Sequence, residues 1–202
     1  MNGVRVIILC KAPVPGRVKT RLMPAYSAAE AAGLHAAMAC TVMARARSLF
    51  AEVCIAADEC WHPFFAACAL PVVAQGTGTL GERLIRLCHD AFAERVEPVL
   101  FLGTDSPHME PQRLIRAAGL VQTHDVVLGP VEDGGYDLIA CRSDLPGVFE
   151  RIRWSTSHVL DDTLGRIDAL GLSGALLDPS FDIDRAEDVV RARSCGWVYD
   201  PV

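Results

Sequence analysis

An α/β fold with a largely parallel sheet is what this sequence predicts. Three observations carry the prediction. Continuous apolar runs, such as Val4 to Cys10 and Val99 to Leu102, have the length and branched character of strands buried on both faces. Amphipathic or alanine-rich stretches alternate with them, as β-α-β-α-β units require. The strands also end in short loops rich in glycine, proline and charge, where α/β sheets collect their ligands.

At 202 residues the chain is long enough for one domain with a substantial core, and a single domain over residues 1–202 is expected. Composition is that of a globular protein, with 51% hydrophobic and 22% charged residues. The 25 acidic side chains outnumber 19 basic ones, which argues against a nucleic-acid partner and confines anion recognition to a local site. No stretch reaches the length of a membrane span, and Met1 to Cys10 is too short for a secretory leader. The eight cysteines show no C-x-x-C spacing, so reduced core thiols in a cytoplasmic protein are expected and a zinc site is not.

The first apolar run predicts a central strand. It leads into Lys-Ala-Pro-Val-Pro-Gly-Arg-Val-Lys-Thr-Arg-Leu, residues 11–22, which concentrates Lys11, Arg17, Lys19 and Arg21 in a chain of net charge −6. Two prolines and a glycine stiffen it. Such a loop suits a phosphate ligand. Ser27 and Glu30 have capping-box spacing, so a long helix is expected to about Phe50, then strands at Val53 to Ala57 and Leu70 to Ala74 around a short helix.

Gly76-Thr-Gly-Thr-Leu-Gly81 is a literal G-x-G-x-x-G, and Thr79 with Glu82 opens a helix to about Arg95 inside it. A dinucleotide fingerprint is one reading. The motif stands deep in the chain, however, and an oxidoreductase would leave the basic loop without work, so approach to another nucleotide is preferred. Asp105 follows the strand Val99 to Leu102, at the strand end where ligands collect; its plainer reading is a turn residue. Pro111 suits the first turn of a helix to Val121.

Strands at Val126 to Pro130 and Tyr136 to Cys141 flank Val-Glu-Asp-Gly-Gly, a hairpin turn. Glu132 and Asp133 could address an acceptor, and Gly134 and Gly135 could offer backbone N–H groups, or serve the turn alone. Ser155 or Thr156 would cap a helix from Ser157 to Leu170, with Trp154 either stacking on a sugar or covering the core. In Phe181-Asp-Ile-Asp184, extended geometry puts both carboxylates on one side and Ile183 in the core. Two like charges there favour a divalent cation; alternatively Asp184 caps the last helix, Ala186 to Arg193.

In order, these blocks resemble the bacterial glycosyltransferase-like family of the nucleotide-diphospho-sugar transferase superfamily, some members of which are linked to arsenosugar biosynthesis. The resemblance spans the basic loop, Gln75 to Leu84, Gly-Thr-Asp-Ser-Pro, Gly129 to Tyr136, Trp-Ser-Thr and Asp-Ile-Asp. It implies a GT-A-like, Rossmann-type three-layer α/β/α sandwich with a mainly parallel mixed sheet. By the same resemblance, shared with 2-phospho-L-lactate and phosphoenolpyruvate guanylyltransferases, Asp105, Asp182 and Asp184 would hold Mg2+ or Mn2+. Gln75, Gly76, Gly78 and Leu80 would meet the base and ribose. The first loop departs from the sugar nucleotidyltransferases in being Pro-rich rather than Gly-rich, which shifts phosphate binding to side-chain cations.

The expectation is therefore a magnesium-dependent transferase using a nucleoside diphosphate sugar and a small-molecule acceptor. Lys11, Arg17, Lys19 and Arg21 would stabilise the departing diphosphate, with Glu132 or Asp133 as acceptor base and His108 as an outside candidate. Nucleotidyl transfer with pyrophosphate release is the main alternative. A non-catalytic nucleotide-binding module and an NAD-binding oxidoreductase are the others.

Overall fold

The computed structural model describes residues 3–95 and 97–199. Its seven strands form one mixed sheet: β1 Arg5–Cys10, β2 Glu52–Ala57, β3 Val72–Ala74, β4 Val99–Leu102, β5 Val126–Pro130, β6 Tyr136–Cys141 and β7 Gly174–Leu176. The spatial order is β3-β2-β1-β4-β6-β5-β7, with β6 antiparallel to both its neighbours and every other pairing parallel. The six α-helices are α1 Ala28–Leu49, α2 Pro63–Ala66, α3 Leu80–Glu94, α4 Pro111–Leu120, α5 Val159–Ala169 and α6 Ala186–Ser194.

Central position explains why β1 is apolar from Val6 to Cys10. Val6, Ile8 and Cys10 join the core beneath α1 and α4, while Ile7 points to the opposite core beneath α3 and α5. A third cluster joins Leu22 of the basic loop to Phe181, Ile183 and Val189 at the other end of the chain, with Leu34 and Met38 of α1 beneath them. The basic loop and the Asp-Ile-Asp segment are thus fastened by shared apolar packing. Burying side chains of this size stabilises by about 1.5–3 kcal/mol each.

Local signals set most element bounds. Both predicted capping boxes form: Ser27 Oγ accepts from Glu30 N at 3.2 Å, and Thr79 Oγ1 from Glu82 N at 3.3 Å, each glutamate accepting in return from its cap residue's N–H. One helix start and one cap differ from expectation. Helix α5 begins at Val159, after His158, because Thr156 is spent on a tight turn in which its hydroxyl donates to Arg153 O and accepts from His158 N. Helix α6 is not capped by Asp184. The Asp188 carboxylate instead accepts from Asp184 N and Arg185 N. Strand β7 had no counterpart in the sequence reading.

All eight cysteines are free thiols; Cys10, Cys54, Cys88 and Cys141 are buried, and Cys40 and Cys195 are exposed. Among the described residues, no helix is long and apolar enough to cross a membrane.

Candidate active site

Connections leave β1 and β4 in opposite directions, so a crevice opens between their C-terminal ends. Because β6 runs antiparallel to β4, with Leu102 opposite Leu138, the beginning of β6 meets the end of β4 at this crevice. A cavity of about 540 Å³ lies there, within the range of small-molecule sites. Lys11, Arg17, Lys19 and Arg21 line one side, Gln75, Leu80 and Arg83 another, and Asp105, Asp137, Ser155 and Asp184 the rest.

The basic loop is held from behind. Ala12 and Val18 are buried, Ala12 N donates to Asp58 Oδ1 at 2.7 Å, and the buried His35 on α1 donates from Nε2 to Lys11 O at 2.9 Å. A short 3-10 turn at Thr20–Leu22 then follows Lys19, whose φ of 46° is left-handed. Ser155, with φ 63°, shares that conformation and the cavity wall. Two side-chain-bearing residues in left-handed backbone at one cavity make it the candidate site.

Lys19 is the hub. Its side chain is 7% exposed, and Nζ lies 3.0 Å from Asp105 Oδ1, 3.1 Å from Asp184 Oδ1 and 2.5 Å from Ile183 O. Burial works against its charge, but the two carboxylates outweigh that and raise its pKa. Burial likewise works against ionised Asp105, and Lys19 reverses the balance, holding that carboxyl below its ordinary range. Asp184 also accepts from Arg21 at 2.9 Å, while Arg17 pairs with Glu59 at 2.5 Å.

Two of the three predicted metal carboxylates share the cavity. Asp105 and Asp184 meet around Lys19, whereas Asp182 accepts from Ser106 Oγ at 2.5 Å and does not line the cavity. Burial, then the charge of Asp105, pushes the Asp182 carboxyl up to about 7. Among the described residues, no group of three or more His, Cys, Asp or Glu side chains is placed to hold a metal ion. Two hard oxygen donors facing one point still fit Mg2+, which is commonly held by one or two carboxylates with substrate phosphates.

The acceptor residues need correction. Both oxygens of Glu132 are taken by Arg191 at 2.6 Å, so its carboxylate is turned from the cavity. Asp133 accepts from Gly135 N at 2.9 Å, and Gly134 N donates to Val131 O at 3.1 Å, so neither glycine N–H is open to a ligand. Gly134 is required by packing: a Cβ there would lie 2.1 Å from Ser157 O. Gly76 and Gly78 stand outside the cavity lining in a positive-φ loop stapled by Arg86, which donates to Gln75 O and Thr77 O, and by Arg83, which donates to Gly78 O. Gln75 is buried, giving Nε2 to Ala56 O at 2.8 Å and receiving Arg83 on Oε1 at 3.2 Å, so it aims Arg83 as much as it faces a ligand. Gly81 makes room for Trp154, which packs edge-on to Tyr136 in the core.

Sequence reasoning missed Arg83 and Asp137. Asp137 is 2% exposed and gripped by Arg113, Nε to Oδ2 at 2.9 Å and Nη2 to Oδ1 at 3.0 Å. Burial still pushes it up to about 6.

Residues 37–156 match the family model described as "Uncharacterized protein conserved in bacteria (DUF2064)". The chain belongs to this family. No curated protein matches the chain in sequence. Among solved structures, a "putative nucleotide-diphospho-sugar transferase" from Desulfovibrio desulfuricans G20 is 30% identical with a TM-score of 0.84, covering 92% of this chain and 84% of that one. The 2-C-methyl-D-erythritol 4-phosphate cytidylyltransferase of Thermus thermophilus shares 18% identity at a TM-score of 0.60, over 97% of this chain and all of its own. Rv0371c of Mycobacterium tuberculosis H37Rv, solved with manganese, shares 18% identity at 0.56, over 95% and 98% of the two chains. The DUF2064 chain therefore has the nucleotide-diphospho-sugar transferase fold and is grouped with transferases.

Proposed function

We propose that the chain is a magnesium-dependent transferase that cleaves a nucleoside diphosphate sugar and passes the sugar to a small acceptor. One observation carries the reading: Arg17, Lys19 and Arg21 share a single cavity with Asp105 and Asp184, at the ends of β1 and β4. The 30% identical relative described as a sugar-nucleotide transferase supports it.

Breaking the sugar–phosphate bond leaves negative charge on the diphosphate. Lys11, Arg17, Arg21 and Arg83 border that space as fixed donors, and donors aimed where charge develops lower the barrier more than they tighten ground-state binding. Asp105 and Asp184 would hold Mg2+ or Mn2+, which supplies Lewis-acid stabilisation of the same oxygens. With its oxygens held by Arg191, Glu132 has no part in this account.

A smaller cavity of about 340 Å³ favours a second reading. It shares Lys11, Arg17 and Arg83 with the larger cavity and adds Asp58 and Glu59, which leaves volume beside the same cations for the further phosphate of a nucleoside triphosphate. That geometry suits nucleotidyl transfer.

A thermal-shift screen of nucleotides and nucleotide sugars, with and without magnesium, tests both. A true donor raises the melting temperature in proportion to the logarithm of its concentration. Product analysis then separates them, since glycosyl transfer releases a nucleoside diphosphate and nucleotidyl transfer releases pyrophosphate. Absence of any stabilising nucleotide or nucleotide sugar would sink both.

A further inference from the structure

An ammonium group has three N–H donors and no acceptor. Lys19 directs those donors at Asp105 Oδ1, Asp184 Oδ1 and Ile183 O, at 3.0, 3.1 and 2.5 Å, with its side chain 7% exposed. It is saturated, and it sits where the oxygens of the two cavity carboxylates converge. The local chain is shaped to put it there: φ at Lys19 is left-handed, and Leu22 and Ile183 lie in one apolar cluster that fixes the distance between the two segments. Arg17 and Arg21, by contrast, are 60% and 67% exposed and sit at the rim.

We infer that Lys19 is the resident cation of the Asp105–Asp184 pair, taking in the nucleotide-free protein the position a divalent ion needs, so that the ion binds only together with nucleotide phosphates. The inference rests on the nucleotide-transferase reading. Its physical basis is charge and desolvation. The ammonium cancels one of the two carboxylate charges that an incoming ion would meet, and Arg21 on Asp184 at the exposed rim already opposes the other. Displacing the ammonium strands a nearly buried charge, and leaving it sets two cations side by side. Phosphate oxygens remove both obstacles, because they complete the donor set of the ion and give the lysine a new anionic partner.

Manganese binding without nucleotide, followed by the electron paramagnetic resonance signal of free Mn2+, tests this on the full chain. Lys19→Met should bind Mn2+ at least about tenfold more tightly than the unaltered protein. Adding Asp184→Asn to Lys19→Met should abolish the gain. Equal or weaker binding by Lys19→Met overturns the inference, as does unaltered protein that binds Mn2+ alone as tightly as in the presence of a nucleoside diphosphate.

Should Lys19→Met fail to fold by circular dichroism, the unaltered chain carries the test through lysine Nζ resonances in NMR, with Lys19 assigned by its absence from Lys19→Arg. The slowly exchanging ammonium signal should persist with Mg2+ alone and shift when Mg2+ and a nucleoside diphosphate are added together. A shift with Mg2+ alone overturns the inference. None of these readouts needs turnover, so they are separable from the thermal-shift screen that decides the transferase reading itself.

Discussion

The imidazole of His108 lies flat on the ring of Phe181, with centroids 3.8 Å apart and planes 17° from parallel. The Arg191 guanidinium covers the same ring at 3.8 Å while gripping Glu132. One stack thus ties the loop after β4, the segment before Asp182, helix α6 and the β5–β6 turn together.

Among the described residues, neither His108 nitrogen has a hydrogen-bond partner. Burial, then the charge of Arg191, lowers its pKa to about 4. An unfolded histidine takes its proton near 6.5, so His108 costs stability progressively as pH falls from there to about 4, and no further below. His108→Phe should flatten the fall of unfolding free energy across that window by on the order of 1–2 kcal/mol, solvent at the part-exposed ring taking up the rest of the shift. Urea titrations at several pH values measure it; an unchanged slope counts against the placement.

Gly134→Ala should be far more costly than Gly16→Ala. Both glycines have positive φ, 86° and 78°, so each alanine carries a backbone penalty of about 1 kcal/mol. Only at Gly134 would the new Cβ meet backbone, at 2.1 Å from Ser157 O, whereas Gly16 faces open space. A loss of about 3 kcal/mol or more is expected at the first and about 1 kcal/mol at the second. Equal losses in chemical denaturation would contradict the close packing.

Arg113→Met should strand the Asp137 carboxylate in the core and cost about 3–5 kcal/mol at neutral pH. Burial has already raised Asp137 to about 6 with Arg113 opposing, and removing the arginine raises it further. A carboxyl raised above its unfolded value contributes stability at low pH that is lost as pH climbs through the folded value. The variant should therefore be closer to the unaltered protein at pH 5 than at pH 8. Adding Asp137→Asn should recover part of the loss at pH 8.

Arg17→Ala and Arg21→Ala should weaken binding of a nucleoside diphosphate by roughly tenfold each, a charge-assisted phosphate contact being worth about 1–2 kcal/mol. Their ion pairs with Glu59 and Asp184 lie at the exposed rim, so melting temperatures should hardly move. Calorimetry at two salt concentrations checks both points, with higher salt narrowing the gap between variant and parent.

Legibility in the sequence follows how local the cause is. Strands β5 and β6 were bounded correctly because Asp-Gly-Gly punctuates the apolar runs, and α1 and α3 because their capping boxes lie within four residues of chain. The basic loop is legible as a cluster of charge, and its four cations line the cavity. Strand β7 was not legible, since its three residues are defined by pairing with Val126 to Leu128 rather than by their own pattern. Availability of a side chain is a tertiary property. Glu132 is paired by Arg191, 59 residues away, and Asp182 is hydrogen-bonded by Ser106, 76 residues away. Asp137 did leave a trace: a lone acid inside the apolar run from Tyr136 to Cys141 must be paired once buried.

Lys19 and Asp184 are separated by 165 residues, yet each completes the other's surroundings. Ile183 N donates to Asp105 O at 2.9 Å, and Ser106 holds Asp182, so the final segment is a keystone laid across the ends of β1 and β4. A chain cut short of Ile183 would carry all seven described strands and still lack the residues that bridge the basic loop to Asp105. Cleavage after Leu176 would also strip Phe181, Ile183 and Val189 from the apolar cluster they share with Leu22 and helix α1, so the basic loop would lose its footing together with its carboxylate partner.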